Sequence, residues 1–379
     1  MSHSAPRPTG GSALKRCLGS PAPGRLRVVD VALWYGERSG GIRTYLDAKV
    51  RYALESESFE HHLVVPGRRD LRLGNRHELR ALSVVTSNGY RVPLRTAPLE
   101  DVLLSIRPDV MLVHDPFWSL PAAARVGAAL GAPVVAVHHA SAALEAAGLP
   151  GPNGLYRRGL EAWRRHAYRR ADAVMSAEGA TAGLGVTRLL PLRFGVDPGF
   201  RPRPATPRED HVLYAGRLSR EKGLFDLLEA ASRARQPWPL RVVGSGPARP
   251  AMQSAAERLG IADRVSWCEF VTEPRALARE YAQAACVVMP GRYETFGLVA
   301  LEAAAAGASV VTCDSAPSAA IAARPEHTFG PGDTAGMLRA IERARRAPVD
   351  MVSAARVAAR YTWPAAFAAE LRDLEELVR

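Results

Sequence analysis

The sequence predicts an α/β protein made of two successive parallel-sheet domains, and three observations carry that prediction. Short apolar, β-branched runs alternate with segments of helical period along most of the chain. The alternation pauses at a proline-rich, polar stretch, Asp197–Asp210, and then restarts. The length of 379 residues also exceeds the roughly 250–300 at which a single core stops growing.

In the first half, Arg27–Leu33, His62–Pro66, Val110–His114, Pro133–His138 and Ala173–Ser176 read as strands. Ile42–Leu54 and Leu120–Leu130 have helical period between them. In the second half the strands fall at Val212–Ala215, Leu240–Val243, Val265–Cys268, Cys286–Met289 and Ser309–Cys313. The expected organisation is a disordered tail over 1–24, a first domain over 25–196, a hinge over 197–210 and a second domain over 211–362. Residues 363–379 are expected to form a helix that packs back on the first domain. Ligands of such sheets bind beyond the carboxyl ends of the strands, which here means a cleft between the domains. No repeat of solenoid period is present.

Composition bounds the function classes. The chain is 47% hydrophobic and 23% charged, with a mean hydropathy of −0.09, which suits a globular protein with two cores. Lys and Arg number 50 against 38 Asp and Glu, a net charge of +12. Such an excess suits nucleic acid, an anionic membrane or a phosphate-bearing substrate. The positive charge is nearly all Arg alongside heavy Ala, Gly and Pro use, so biased base composition explains it equally well. No recognised nucleic-acid-binding module is present, so nucleic acid is not expected as a partner.

Cys17, Cys268, Cys286 and Cys313 form no CxxC and have no His at metal-ligand spacing, so neither a disulfide framework nor a zinc site is indicated. The first 24 residues lack the apolar core of about 7–15 residues that a secretory signal needs. The longest stretch free of acids and of Lys and Arg, Val126–Leu144, is broken by Gly131, Pro133 and two histidines, which excludes a spanning helix. A cytoplasmic protein is expected.

Four segments carry chemistry. In Val212–Gly223, a strand ends at Gly216, and Arg217 and Lys222 follow in the turn before a helix near Leu224. That placement aims two cations into the cleft, where a diphosphate needs charge-assisted donors. Val242–Pro247 contains a Gly-x-Gly with Gly244 after a strand, but Pro247 replaces the third glycine of a dinucleotide loop, so a plain strand-to-helix turn with some backbone contact is expected. In Met289–Gly307, a glycine-bearing turn leads to a helix beginning around Phe296–Leu298, whose free N–H groups make an anion site. Glu294 precedes that helix and Glu302 lies on it, one to two turns in, where a carboxylate accepts the two vicinal hydroxyls of a ribose. In the first domain, Gly40 and Gly41 sit between the first strand and its helix, and glycine there permits close backbone approach to a phosphate or sugar. His114-Asp115-Pro116 and His138-His139 end two further strands at the same cleft.

With these residues in hand, the chain resembles the retaining glycosyltransferases of family four, which have the GT-B fold: two Rossmann-like parallel-sheet domains facing each other across a cleft. The resemblance covers roughly 26–375 and rests on Gly40-Gly41-Ile42, His114-Asp115-Pro116, Val137-His138, Gly195-Val196-Asp197, Gly216-Arg217 with Glu221-Lys222-Gly223, Gly244-Ser245-Gly246-Pro247, and Glu294-Thr295-Phe296-Gly297-Leu298 followed by Glu302. The two glutamates at their spacing are the most specific part. The resemblance implies that Arg217 and Lys222 neutralise a donor diphosphate, assisted by Gly216 and Gly244. The Thr295–Leu298 segment, through the backbone of Phe296, Gly297 and Leu298, would hold the distal phosphate, and Glu302 the ribose. Glu294 and His138 would contact the transferred sugar, and Gly41 would pack on the donor phosphate beside Gly40. It implies a hexose donor such as GDP-mannose or a UDP-hexose, a glycolipid, glycan or small-molecule acceptor, and neither metal nor cofactor. Two departures stand out: Gly291 replaces the usual Ser after Pro290, and Leu192-Arg193-Phe194 replaces the usual Pro-Asn before Gly195.

The other readings kept open are a nucleotide-sugar-binding protein without transferase activity and, among enzymes, an epimerase or glycogen-type synthase of the same fold. Helical period across Leu155, Leu160, Trp163, Ala167 and Tyr168, with six arginines between Arg157 and Arg170 on the other side, suits either a core-facing helix or peripheral contact with an anionic membrane, at the inner face of the plasma membrane.

Overall fold

The computed structural model describes residues 25–33, 35–36, 40–83, 91–139, 153–177, 186, 188–292, 294 and 296–379. The stretch expected to be a tail, 1–24, lies outside them, as do residues 140–152 and Thr295.

The first sheet has eight strands in the order β10-β9-β8-β7-β1-β2-β4-β3. These are β1 (Arg27–Val31), β2 (Glu60–Gly67), β3 (Leu71–Leu73), β4 (Arg76–Arg80), β7 (Val110–Val113), β8 (Val134–His138), β9 (Ala173–Ser176) and β10 (Leu189–Pro191). All its pairs are parallel except β3–β4. A two-stranded ribbon, β5 (Leu82–Ser83) and β6 (Arg91–Val92), stands apart. The covering helices are α1 (Gly41–Ser56), α2 (Ala97–Ile106), α3 (Ser119–Leu130) and α4 (Asn153–Tyr168). Strands β1, β7, β8 and β9 are apolar almost throughout because helices shield both faces of the sheet.

The second sheet is all parallel, in the order β13-β12-β11-β14-β15-β16. Its strands are β11 (Val212–Ala215), β12 (Leu240–Val243), β13 (Val265–Cys268), β14 (Cys286–Met289), β15 (Val310–Cys313) and β16 (Thr328–Phe329). Its helices are α5 (Leu224–Ser232), α6 (Arg249–Arg258), α7 (Pro274–Gln283), α8 (Leu298–Ala306), α9 (Ala319–Ala322), α10 (Thr334–Arg346) and α11 (Met351–Arg360). Helix α8 is apolar apart from Glu302, and six of its nine residues are buried, so it is a core element rather than an amphipathic cover. Two facing α/β domains are the architecture that the alternation of strands and helices implies.

The last helix, α12 (Trp363–Val378), crosses back and packs on the first domain, with Trp363, Phe367, Leu371 and Leu374 in the same buried cluster as Val28, Tyr45 and Leu46. Val196 forms a parallel bridge with Thr362, and Val196 N–H donates to Tyr361 O at 2.9 Å. The two chain crossings between the domains therefore run side by side.

Under α12 lies a fully buried charge network. Lys49 of α1 reaches Asp30 of β1 at 2.8 Å and Glu370 of α12 at 2.7 Å. Tyr45 OH donates to the other oxygen of Glu370. His61 and His114 donate to the two Asp30 oxygens at 2.8 and 2.6 Å. Burial alone would raise the Asp30 pKa, but Lys49, followed by His114 and His61, holds it well below the usual carboxylate range. Asp30 thus adds stability above its unfolded pKa, and this is lost as pH falls through its depressed folded value.

Lys49→Met leaves two buried carboxylates without their cation, so unfolding free energy in urea should drop by about 3–5 kcal/mol.

Candidate functional site

Four turns at the carboxyl ends of β1, β11, β12 and β14 build the cleft. Beyond β1, the chain reaches Gly40 and starts α1 at Gly41 without a side-chain cap. Beyond β14, it starts α8 at Leu298 with Gly297 at the cap, again without a side-chain cap. The two helix starts meet: a Cβ on Gly41 would stand 3.2 Å from Leu298 Cδ1, and Phe296 stacks on Phe194 with ring centres 4.4 Å apart. Two helix N-termini therefore converge on one spot, and each brings first-turn N–H groups and a positive dipole end.

The basic turn beyond β11 completes this electropositive corner. Lys222 Nζ lies 2.8 and 2.9 Å from the two oxygens of Glu294. Arg217 is 2.8 Å from Glu221, which also accepts from Ser219 Oγ at 2.6 Å. Each cation thus stands against a carboxylate of its own domain. The turns beyond β11 and β12 touch through backbone, because a Cβ on Gly244 would fall 1.9 Å from Gly216 O, so only glycine fits there.

Glu302 points from α8 toward Tyr281 of α7, whose hydroxyl donates to it at 3.3 Å. Burial, followed by Asp197, raises its pKa from 4.5 to about 8, with the Tyr281 bond opposing. A half-buried carboxylate with one donor is poorly solvated and suited to a ligand that brings hydroxyls. Across the cleft, His138 at the end of β8 is buried and shares a 2.8 Å hydrogen bond with Tyr168 OH.

The structure brings together Gly41, Phe296, Gly297 and Leu298 at one corner, with Arg217, Lys222, Gly216, Gly244 and Glu294 around the turns beside it. His138 faces from the opposite sheet, while Glu302 lies one turn down α8. Thr295 is outside the described residues. Among those residues, no group of three or more His, Cys, Asp or Glu is placed to hold a metal ion.

Two further features were only partly visible in the sequence. His114 Nε2–H is committed to Asp30, so its Nδ1 accepts from His139 Nε2 at 2.5 Å. The two rings lie within 16° of one plane and edge to edge, a head-on hydrogen bond rather than a stack. Burial, then His114 and His138, holds the His139 pKa well below its usual value. The signal was there: Asp30 is the one acid inside an apolar strand, but nothing local tells that its partners come from residues 49, 61 and 114. On α4, Trp163 stacks on Phe117 and Ala167 and Tyr168 are buried as the helical period implies. Arg164, expected on the solvated side, is instead 2% exposed.

Residues 39–184 match the family described as Glycosyltransferase Family 4, and residues 209–346 match Glycosyl transferases group 1. The GDP-mannose-dependent alpha-(1-6)-phosphatidylinositol dimannoside mannosyltransferase of Mycobacterium tuberculosis is 32% identical over 314 residues, covering 76% of this chain and 79% of that one. The chain belongs to the family 4 glycosyltransferases. A glycogen synthase of M. tuberculosis is 30% identical over 271 residues, 67% of this chain and 64% of the synthase. Among solved structures, the sucrose-phosphate synthase of Thermosynechococcus elongatus superposes with a TM-score of 0.73 at 18% identity, covering 93% of this glycosyltransferase and 99% of the synthase. The Anabaena HepE protein in complex with UDP-glucose gives 0.71 at 15% identity, covering 93% and 100%. The fold is GT-B.

Because the folded-state pKa of Glu302 is raised, the native chain holds a proton that the unfolded chain has released between pH 4.5 and about 8. Stability should fall with rising pH across that window. Glu302→Gln should flatten that part of the profile in chemical denaturation run at several pH values.

Proposed function

We propose that this glycosyltransferase moves a hexose from a nucleotide-sugar to a hydroxyl of a glycolipid, glycan or small-molecule acceptor, with retention at the anomeric carbon and without a metal. The observation that carries the reading is the convergence of two uncapped helix N-termini with Lys222 and Arg217 at one corner of the cleft. That corner suits a diphosphate leaving group. GDP-mannose is the preferred donor, on the name of the mycobacterial relative, with a UDP-hexose second, on the ligand of the Anabaena neighbour.

In the proposed reaction the bond from the anomeric carbon to the diphosphate breaks and a new bond to the acceptor oxygen forms on the same face. The acceptor proton passes to an oxygen of the leaving diphosphate. Lys222, Arg217 and the amides of Phe296, Gly297 and Leu298 stabilise the charge that develops there. Gly40, Gly41, Gly216 and Gly244 allow the backbone to come close, and Thr295 lines the same segment. Glu302 accepts the ribose hydroxyls, and Glu294 and His138 hold the sugar. Closure of the domains about 197–210 excludes water and limits donor hydrolysis.

Peripheral contact with an anionic surface is a second part of the proposal. No helix among the described residues is long and apolar enough to cross a membrane. Helix α4 carries exposed Leu155 beside exposed Arg157 and Arg158, which suits a surface rather than a spanning mode. On this reading the enzyme would work at the inner face of the plasma membrane.

A screen of GDP-, UDP- and ADP-sugars by thermal shift and turnover tests the main reading. One donor should raise the melting temperature, and Lys222→Ala should lower kcat about 10²–10³-fold with that donor. Full turnover in the variant would sink the assignment. In sedimentation with phosphatidylserine vesicles, the double variant Arg157→Glu, Arg158→Glu should lose on the order of 1 kcal/mol of binding per charge. Equal binding by the variant would remove the membrane part.

A further inference from the structure

The resemblance puts a serine where this chain has Gly291. Gly291 is absent from the glycines with positive φ, so its backbone conformation admits any residue. What it lacks is room: a Cβ there would stand 2.9 Å from Glu294 Oε1, whereas its next neighbours, Glu221 O and Lys222 Cα, lie at 3.6 Å. The single obstacle is thus the far end of a flexible side chain.

That carboxylate holds Lys222 through both oxygens, and the pair is mostly shielded, with side chains 24% and 10% exposed. The two loops beneath it are fixed at the backbone. A Cβ on Gly223 would fall 2.5 Å from Pro290 O, so the turn beyond β11 presses on the turn beyond β14. Relief of crowding at position 291 therefore comes from the carboxylate and not from the loops. The second cation is different, because its partner Glu221 is itself pinned by Ser219. Of the two ion pairs at this corner, the one made by Lys222 has the partner that can swing.

We propose that Gly291 sets donor affinity by allowing Glu294 to close on Lys222 in the empty enzyme. The inference rests on the donor reading of the corner. Donor binding is then an exchange: the diphosphate takes Lys222, and the released Glu294 turns to the hydroxyls of the transferred sugar. A nucleoside diphosphate breaks the same pair but offers Glu294 no hydroxyls, so the bare product binds more weakly than a chain with an open Lys222 would bind it. Gly291 thus favours release of the product over its retention.

Titration calorimetry with GDP and UDP on the full chain, its Gly291→Ala variant and its Gly291→Ser variant tests this. An alanine that keeps Glu294 off Lys222 from a pair closed most of the time should tighten nucleoside diphosphate binding on the order of tenfold. Serine should do the same. In a Lys222→Ala background the substitution at 291 should change nothing, because the two residues act through one pair. Unchanged or weaker binding in both 291 variants, with wild-type melting temperatures, overturns the inference while leaving the donor reading intact. An equal gain without Lys222 overturns it as well. If no nucleoside diphosphate binds the wild-type chain or any variant, the donor reading fails and the inference falls with it.

Discussion

One buried lysine fixes how the chain's last helix sits on its first domain. Lys49 sits between Asp30 and Glu370, and none of the three has access to water. An isolated charge in that position would be prohibitive, so each depends on the others being in place. The residues come from the first strand, the first helix and the last helix, and the network closes only when the chain's end has returned to its beginning. Apolar packing by Trp363 and Phe367 provides most of the attraction, but packing tolerates sliding. A lysine between two carboxylates, with Tyr45 on one of them, fixes the register of α12 on α1.

The same network extends to the cleft. Asp30 orients His114, and His114 orients His139 in the plane of its own ring. The acid that anchors the carboxyl-terminal helix thereby also fixes imidazoles at the ends of β7 and β8. Stability of the first domain and order at its cleft edge are one property rather than two.

Much of this was legible in the sequence, for identifiable reasons. Buried parallel strands are continuous apolar runs, so Val212–Ala215 and Cys286–Met289 mark their strands to the residue, and Leu240–Val243 and Val265–Cys268 do so with one polar residue each, Arg241 and Ser266. The glycine-bearing turn and apolar helix around Glu294 were equally visible because the signal is local. The short strands β3 and β4 were not, since they alternate charge with apolar residues, and neither was the edge strand β10, whose three residues are too few to leave a pattern. Nor could spacing show that Lys222 lies against Glu294, 72 positions away, or that Asp30 is ringed by Lys49, His61 and His114. Long-range charge pairing leaves no periodicity to read. Arg164 shows the opposite failure: a residue type that belongs outside by composition is inside by context.

The side-by-side crossings at Val196 and Thr362 bear on how the molecule can be taken apart. The second domain is an insertion: it leaves and re-enters the first domain at a single paired seam. Gly195 stands so close there that a side chain would strike the Trp363 backbone. A domain exchange with a relative must therefore cut twice, on both sides of the seam, and keep the final helix with its native host. A graft joined only at the proline-rich linker would carry off a foreign last helix and leave Asp30 and Lys49 facing the wrong partner. Modularity in this fold is that of a cassette and not of beads on a string.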